Sequence, residues 1–180
     1  RVTVLSALAV AIVCPSGANA LVGIKPTIGL VSRTGIIPIS HTQDTAGPMT
    51  RTVTDAALLL GAIAGPDVDD RATITGRARV DYLAALKEDA LKGARIGVAR
   101  KRYFGYSAVA DTLIDAAIVE MKAQGAVIVD PADIPTAARL DDCEFEILLY
   151  EFKADLNKYL ATRGPSVAVH SLTDLIAFNT

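Results

Sequence analysis

The spacing of apolar and polar positions changes several times along this chain, and each change falls at a recognisable break. After Arg1 comes an apolar run from Val2 to Val13, followed by Ala18-Asn19-Ala20. Residues 21–50 carry no helical period. Gly23, Pro26, Gly29, Gly35, Pro38, Gly47 and Pro48 cut them into short β segments and turns. A helix follows. Thr52 and Asp55 form a capping-box-like start, and Val53, Ala56, Ala57 and Leu60 share one face. Gly65 and Pro66 end it. Residues 66–80, with Asp67, Asp69, Asp70 and Arg71, read as a surface loop, and Tyr82–Lys87 as a short helix.

The next stretch reads as a βαβ unit. Arg95–Ala99 is a strand. Asp111–Gln124 is a helix with Ile114, Ala117, Ile118 and Met121 on one face. Gly125 caps it, and Ala126–Val129 is a strand stopped by Pro131. Strands joined by one such helix lie parallel in a sheet, so the expected fold class is α/β. Glu144–Leu160 reads as a helix with the apolar stripe Phe145, Leu148, Leu149, Phe152 and Leu156, ended by Gly164-Pro165. Ser171 to Asp174 opens a last helix with a capping box.

Composition narrows the classes. The 180 residues suffice for one domain or for part of a larger one. With 51% hydrophobic and 21% charged residues the chain is not a disordered one. There are 18 basic and 20 acidic residues, a net charge of −2 and no basic block, so nucleic acid is not an expected partner. The run at 2–13 is too short to span a bilayer, so no membrane partner is expected. Taken alone, residues 1–20 resemble a secretory signal with an A-x-A cleavage site. The expected location is cytoplasmic, with secretion or the periplasm as the alternative should residues 1–20 act as a signal. Cys14 and Cys143 lie far apart, which fits two reduced thiols as well as a disulfide. His41 and His170 are also distant from each other and read as surface or loop residues. No Cys/His/Asp spacing suggests a metal, so none is expected.

No short catalytic or phosphate-binding motif marks a site in the sequence. No phosphate loop and no G-x-S-x-G elbow occurs. Arg100-Lys101-Arg102 reads as a solvated loop. Asp69-Asp70 and Asp141-Asp142 are expected to diverge into water, and Cys14 to be a buried structural thiol.

Longer motifs say more. Gly23-Ile24-Lys25-Pro26-Thr27 is followed by Gly35-Ile36-Ile37-Pro38. Then come Asp44-Thr45-Ala46-Gly47-Pro48-Met49, Arg51-Thr52-Val53 and Asp55-Ala56-Ala57. In this order they resemble the second half of the amidase signature region, in its peptide-amidase-like subgroup. The resemblance implies part of the amidase signature fold, a mixed β-sheet flanked by helices and incomplete at both ends. Residues 1–11 would be a non-matching leader, 12–65 the signature part and 66–180 the α/β region that follows it, as in a truncated or frame-disrupted gene.

The family hydrolyses carboxamide C–N bonds through a serine acyl-enzyme, with a bridging Ser and a Lys base and without cofactor or metal. A base beside the hydroxyl makes serine nucleophilic, and backbone N–H groups stabilise the oxyanion. By the resemblance the nucleophile position is Ala11, with Ala9 and Val10 in place of the turn glycines, and the Lys and bridging Ser lie upstream of this sequence. No catalytic residue is therefore intact, and the chain is expected to be inactive. The alternative is a non-catalytic amide-binding or interaction module. Lys25 belongs to its motif and is not the base. Ile12, Cys14, Gln43 and Asp44 are the implied substrate-binding residues, with Asp44 holding its loop through Arg51. Phe145–Phe152 is expected as a core helix or as an acyl-pocket wall. A small amide or peptide amide is the implied partner of the full-length parent, and exposed sheet edges imply self-association.

Overall fold

The structure is a computed structural model that describes residues 3–6, 9–73 and 80–180. In chain order its elements are β1 (Thr3–Ser6), α1 (Ala9–Ala18), β2 (Val22–Gly23), β3 (Ala46–Thr50), α2 (Val53–Ile63), β4 (Arg95–Gly97), α3 (Arg100–Tyr103), α4 (Ala108–Ala123), β5 (Val127–Val129), α5 (Asp141–Ala161) and α6 (Leu172–Phe178). They divide into two units, Arg1–Ala85 with Asp142–Thr180, and Leu86–Asp141.

In the first unit β3 is the middle strand of an antiparallel sheet with the order β1-β3-β2. Thr3–Ser6 pairs with Met49–Ala46, and Val22–Gly23 with Thr50–Met49. All five residues of β3 are buried. Pro48 has no N–H to give, but its carbonyl accepts the Ile24 N–H at 3.1 Å, so the strand keeps its neighbour there. The two glycines of this region work by close approach. A Cβ on Gly47 would collide with the Ile24 carbonyl and crowd Pro26 and Ile12. A Cβ on Gly23 would collide with the Ser16 hydroxyl. Helix α1 therefore lies directly on the sheet, with Ile12 and Ser16 facing it and fully buried.

Helix α2 begins as its sequence predicts. The Thr52 hydroxyl accepts the Asp55 N–H at 3.0 Å, satisfying one orphan donor of the first turn. Ala56, Ala57 and Leu60 are buried, whereas Val53 stays more than half exposed. Leu60 and Ala64 join Val31 and Ala46 in the core, ringed by Ile24, Leu30, Ile36, Ile63 and Tyr82. Burying one such leucine contributes about 2 kcal/mol. The stretch read as a helix at Tyr82–Lys87 is only a single 3₁₀ turn, Leu83–Ala85, because Asp81 caps Leu83 and too few residues follow to propagate it.

Helix α5 spans 21 residues but buries only Leu156. Phe145 and Leu149 of its predicted stripe are exposed, and Leu148 and Phe152 half-buried. It is thus not a core helix along its first half. Asn157 on α5 accepts the Leu172 N–H, which fixes the start of α6, and the Ser171 hydroxyl caps that helix by accepting the Asp174 N–H.

The second unit is the expected βαβ arrangement. β4 and β5 run parallel with Arg95, Ile96 and Gly97 opposite Val127, Ile128 and Val129. Helix α4 starts three residues before the predicted point because the Ser107 hydroxyl accepts the Ala110 N–H and moves the cap upstream. Gly125 adopts a positive φ of 95° just past the helix, where a side chain would be strained. Arg100-Lys101-Arg102 is not a solvated loop. It forms α3, and Arg100 pairs with Asp130 and Asp115 while Arg102 pairs with Asp141.

Candidate functional site

Ala11, the position that the resemblance assigns to the nucleophile, lies by its backbone in the first turn of α1. Its side chain is outside what the structure describes. One residue on, Ile12 is completely buried against Gly47 of β3. The Ser16 hydroxyl donates to the Ile12 carbonyl at 2.6 Å and is buried beneath β2, so it is already used. Cys14 points the other way and is exposed, contrary to the expected buried thiol, because alternate residues of a helix diverge around its axis. Cys14 and Cys143 are not joined in a disulfide.

Gln43 and Asp44 lie in the loop that leads into β3. The Gln43 N–H and Asp44 N–H both donate to the Ser40 carbonyl. Asp44 is only 2% exposed. One carboxylate oxygen, Oδ2, accepts the Ile39 N–H at 2.8 Å and the Ser40 N–H at 2.9 Å, and its Oδ1 has no partner. The expected pair with Arg51 does not form. Backbone amides four and five residues upstream reach this carboxylate, while Arg51 is exposed. Asp44 lines a cavity of about 190 Å³ with Arg33, Ile36, Pro38, His41 and Asp70. None of Ile12, Cys14 and Gln43 lines that cavity. Of the four implied substrate-binding residues, Asp44 alone lines this cavity among the described residues.

Two polar clusters flank the 30–44 segment. In the first, Asp70 accepts the Arg33 backbone N–H at 3.0 Å, its Nε–H at 2.9 Å and an Nη2–H at 2.7 Å. The Arg33 guanidinium outweighs the burial of Asp70 and holds its carboxyl down at about 2. The same pairing raises Arg33 above its ordinary value. Asp67 beside it accepts from Ser32 and Thr34. The reading of Asp69-Asp70 as two carboxylates in water is thus wrong for Asp70, which is 8% exposed and fully engaged.

In the second cluster, α5 reaches the 40–42 loop. Glu151 accepts from the Ser40 hydroxyl, from the Thr42 hydroxyl at 2.8 Å and from the Thr42 N–H at 3.2 Å. Burial pushes the Glu151 carboxyl up, but these donors together outweigh it, so it lies below its ordinary value. Asp155 accepts the His41 N–H and contacts His41 Nδ1, both at 2.9 Å. His41 is exposed on a loop as expected, yet it is bound to two carboxylates more than a hundred residues away. Sequence spacing gave no sign of that. His170, by contrast, only donates its N–H to Asp174 at the start of α6.

In the second unit a cavity of about 680 Å³ is lined by Lys101, Arg102, Tyr103, Tyr106, Asp133 and Asp141 among others. Its acids are already used, Asp133 by the Lys101 N–H and Asp141 by Arg102.

Comparison with known proteins shows which family this mixed α/β scaffold belongs to. The sequence model of the amidase family, described simply as Amidase, matches residues 10–179, and the chain belongs to that family. It is 39% identical over 175 residues to a probable amidase of Arabidopsis thaliana, which covers 93% of this chain and 32% of that protein. The native peptide amidase from Stenotrophomonas maltophilia superposes with a TM-score of 0.89 at 48% identity, over 99% of this chain and 36% of the other. An amidase family protein from Bacillus anthracis does so with a TM-score of 0.86 at 35% identity, over 99% of this chain and 35% of the other. The chain thus spans about a third of the length of the relatives it matches. These likenesses bear out the amidase signature fold and the peptide-amidase-like resemblance. Among the described residues no helix is long and apolar enough to cross a membrane.

Proposed function

We propose that this chain is the part of an amidase that carries the nucleophile turn and the sheet beneath it, and that Ala11 at the nucleophile position leaves it without turnover. The complete enzyme hydrolyses the C–N bond of a small carboxamide or peptide amide in the cytoplasm. A serine attacks the carbonyl, the amine leaves, and water releases the acyl group. An alanine side chain has no oxygen to form the acyl ester, so the first step is lost at its origin. What remains is the positioning frame. The observation that carries this reading is the contact of Gly23 and Gly47, both in the family's motifs, with the helix whose first turn includes position 11. Ile12, Cys14, Gln43 and Asp44 are read as flanking the substrate in the complete enzyme, where segments outside this sequence would close the pocket.

The second reading, an amide-binding module without catalysis, draws on the retention of the whole frame beside an alanine. A chimera separates the two. Residues 12–180 of this chain replace the matching third of the Stenotrophomonas peptide amidase, with either Ala or Ser at position 11. The serine form is expected to release ammonia from a peptide amide and the alanine form to release none. Equal rates from both forms would overturn the assignment of position 11. If the alanine form binds the peptide amide as tightly as the serine form, the scaffold recognises amides independently of catalysis, as the binding-module reading requires.

A further inference from the structure

We infer that the large cavity of the second unit, walled by residues 99–106 and 133–141, binds a small monocarboxylate with an aromatic or branched apolar body. Its place in the fold is the first reason. β4 and β5 run parallel, and the segments that wall the cavity are the two that leave their carboxyl ends. One is α3 with the turn after it, and the other is the loop from β5 down to Asp141. In open α/β sheets ligands are held in the crevice outside the carboxyl ends of the strands. The volume of about 680 Å³ is that of a cleft for a small organic molecule.

The wall supplies an apolar half. The chain has only five Tyr and four Phe, yet Tyr103, Phe104 and Tyr106 all line this one cavity, together with Ile134. Tyr103, Tyr106 and Ile134 are each more than half exposed. Apolar surface left in water around a concavity is what a ligand covers.

The polar half selects the charge. Asp133 accepts the Lys101 backbone N–H at 2.8 Å, and both oxygens of Asp141 accept from Arg102 Nη2 at 2.7 Å. What the cavity still offers is donors. Among the described residues the Lys101 ammonium has no ion pair, and Arg102 Nε and Nη1 and the Tyr103 and Tyr106 hydroxyls have no hydrogen-bond partner. Arg100 is no competitor, since Asp115 and Asp130 hold it. Two bases against two acids leave the lining near neutral, so it takes one negative charge better than two. A carboxylate accepts charge-assisted hydrogen bonds from Lys101 and Arg102, and an aromatic body packs on the tyrosine rings.

The test uses the full 180-residue chain at neutral pH, with phenylacetate as the probe and saturation-transfer NMR and calorimetry as readouts. The expected result is saturable binding at one site per chain, with a dissociation constant on the order of 1 mM for so small a molecule. Neutral phenylethanol, cationic phenethylamine and dianionic phenyl phosphate should each bind at least about tenfold more weakly. K101M and Y106A should each weaken phenylacetate by about tenfold, whereas K122M, on α4 and away from the cavity, should leave it unchanged. Lys101 and Tyr106 are exposed, so both variants should keep the melting temperature, and if Y106A does not fold, Y106L and K101M carry the comparison. The inference is overturned if no saturable binding appears, or if phenylethanol binds as well, which would mean an apolar surface only. It is equally overturned if phenyl phosphate binds more tightly than phenylacetate, or if binding survives the substitutions at Lys101 and Tyr106.

Discussion

The Asp70 carboxylate takes three hydrogen bonds from Arg33 and one from the Ala72 N–H, and the result is a carboxyl held at about 2 rather than near 4. A carboxyl that titrates lower when folded stabilises the fold above its unfolded value, and that contribution disappears as pH falls from about 4 towards 2. Replacing Asp70 with Asn should therefore cost on the order of 2 kcal/mol at pH 7 and flatten the loss of stability between pH 4 and 2. Urea unfolding across that range checks it. An unchanged acid limb would mean that the pair contributes nothing. The pair was not legible in the sequence, because 37 residues separate its members and adjacent Asp69 and Asp70 look alike. The same holds for His41, whose partners lie more than a hundred residues on. Thr52 and Ser171, by contrast, were readable as caps, since the partner amide of a cap is three residues away.

At the scale of elements, the periods located α2, α4, α5 and α6, and the βαβ order predicted that β4 and β5 run parallel. What they missed has physical causes. Ser107 extended α4 because a hydroxyl at the right offset captures an amide, and nothing in the hydrophobic period marks that. Apolar runs do not distinguish strand from helix, so the run at 2–13 could not be resolved into β1 and α1 from its composition. The stripe on α5 was correctly periodic, but period says nothing about what covers it. Ser171→Ala should lower the helical stability of α6 by about 1 kcal/mol, read as faster amide exchange over residues 172–178 with little change in α2. Gly23→Ala should disturb α1 far more than Gly17→Ala, since a Cβ at 23 meets the Ser16 hydroxyl and one at 17 meets nothing within 4 Å. Equal thermal shifts for the two variants would contradict the close packing of α1 on β2.

Over the whole molecule, family and fold were legible from the motifs between Gly23 and Ala57, because they encode a close-packed sheet and helix that tolerate few residue types. The site was not legible to the same depth. Ile12, Cys14, Gln43 and Asp44 were chosen from motif position, and the described structure puts one in the core, one in solvent and two in a loop. The chain also leaves large apolar side chains in water, among them Phe145, Leu149 and Tyr150 on α5 and Val109, Leu113 and Val119 on α4. Exposed apolar surface of this kind promotes association. Sedimentation at rising concentration should show oligomers, and replacing Phe145 and Leu149 with Ser should shift the distribution towards monomer. A sharp monomeric boundary for the unaltered chain would refute that.

The most direct test of the central claim is the intact mass of this chain after treatment with a serine-directed fluorophosphonate. With Ala11 at the position proposed for the nucleophile, the mass should stay unchanged at any time of incubation. A single stoichiometric adduct would show that another hydroxyl has taken over the nucleophile's role, and would contradict the account of this chain as an amidase frame without its serine.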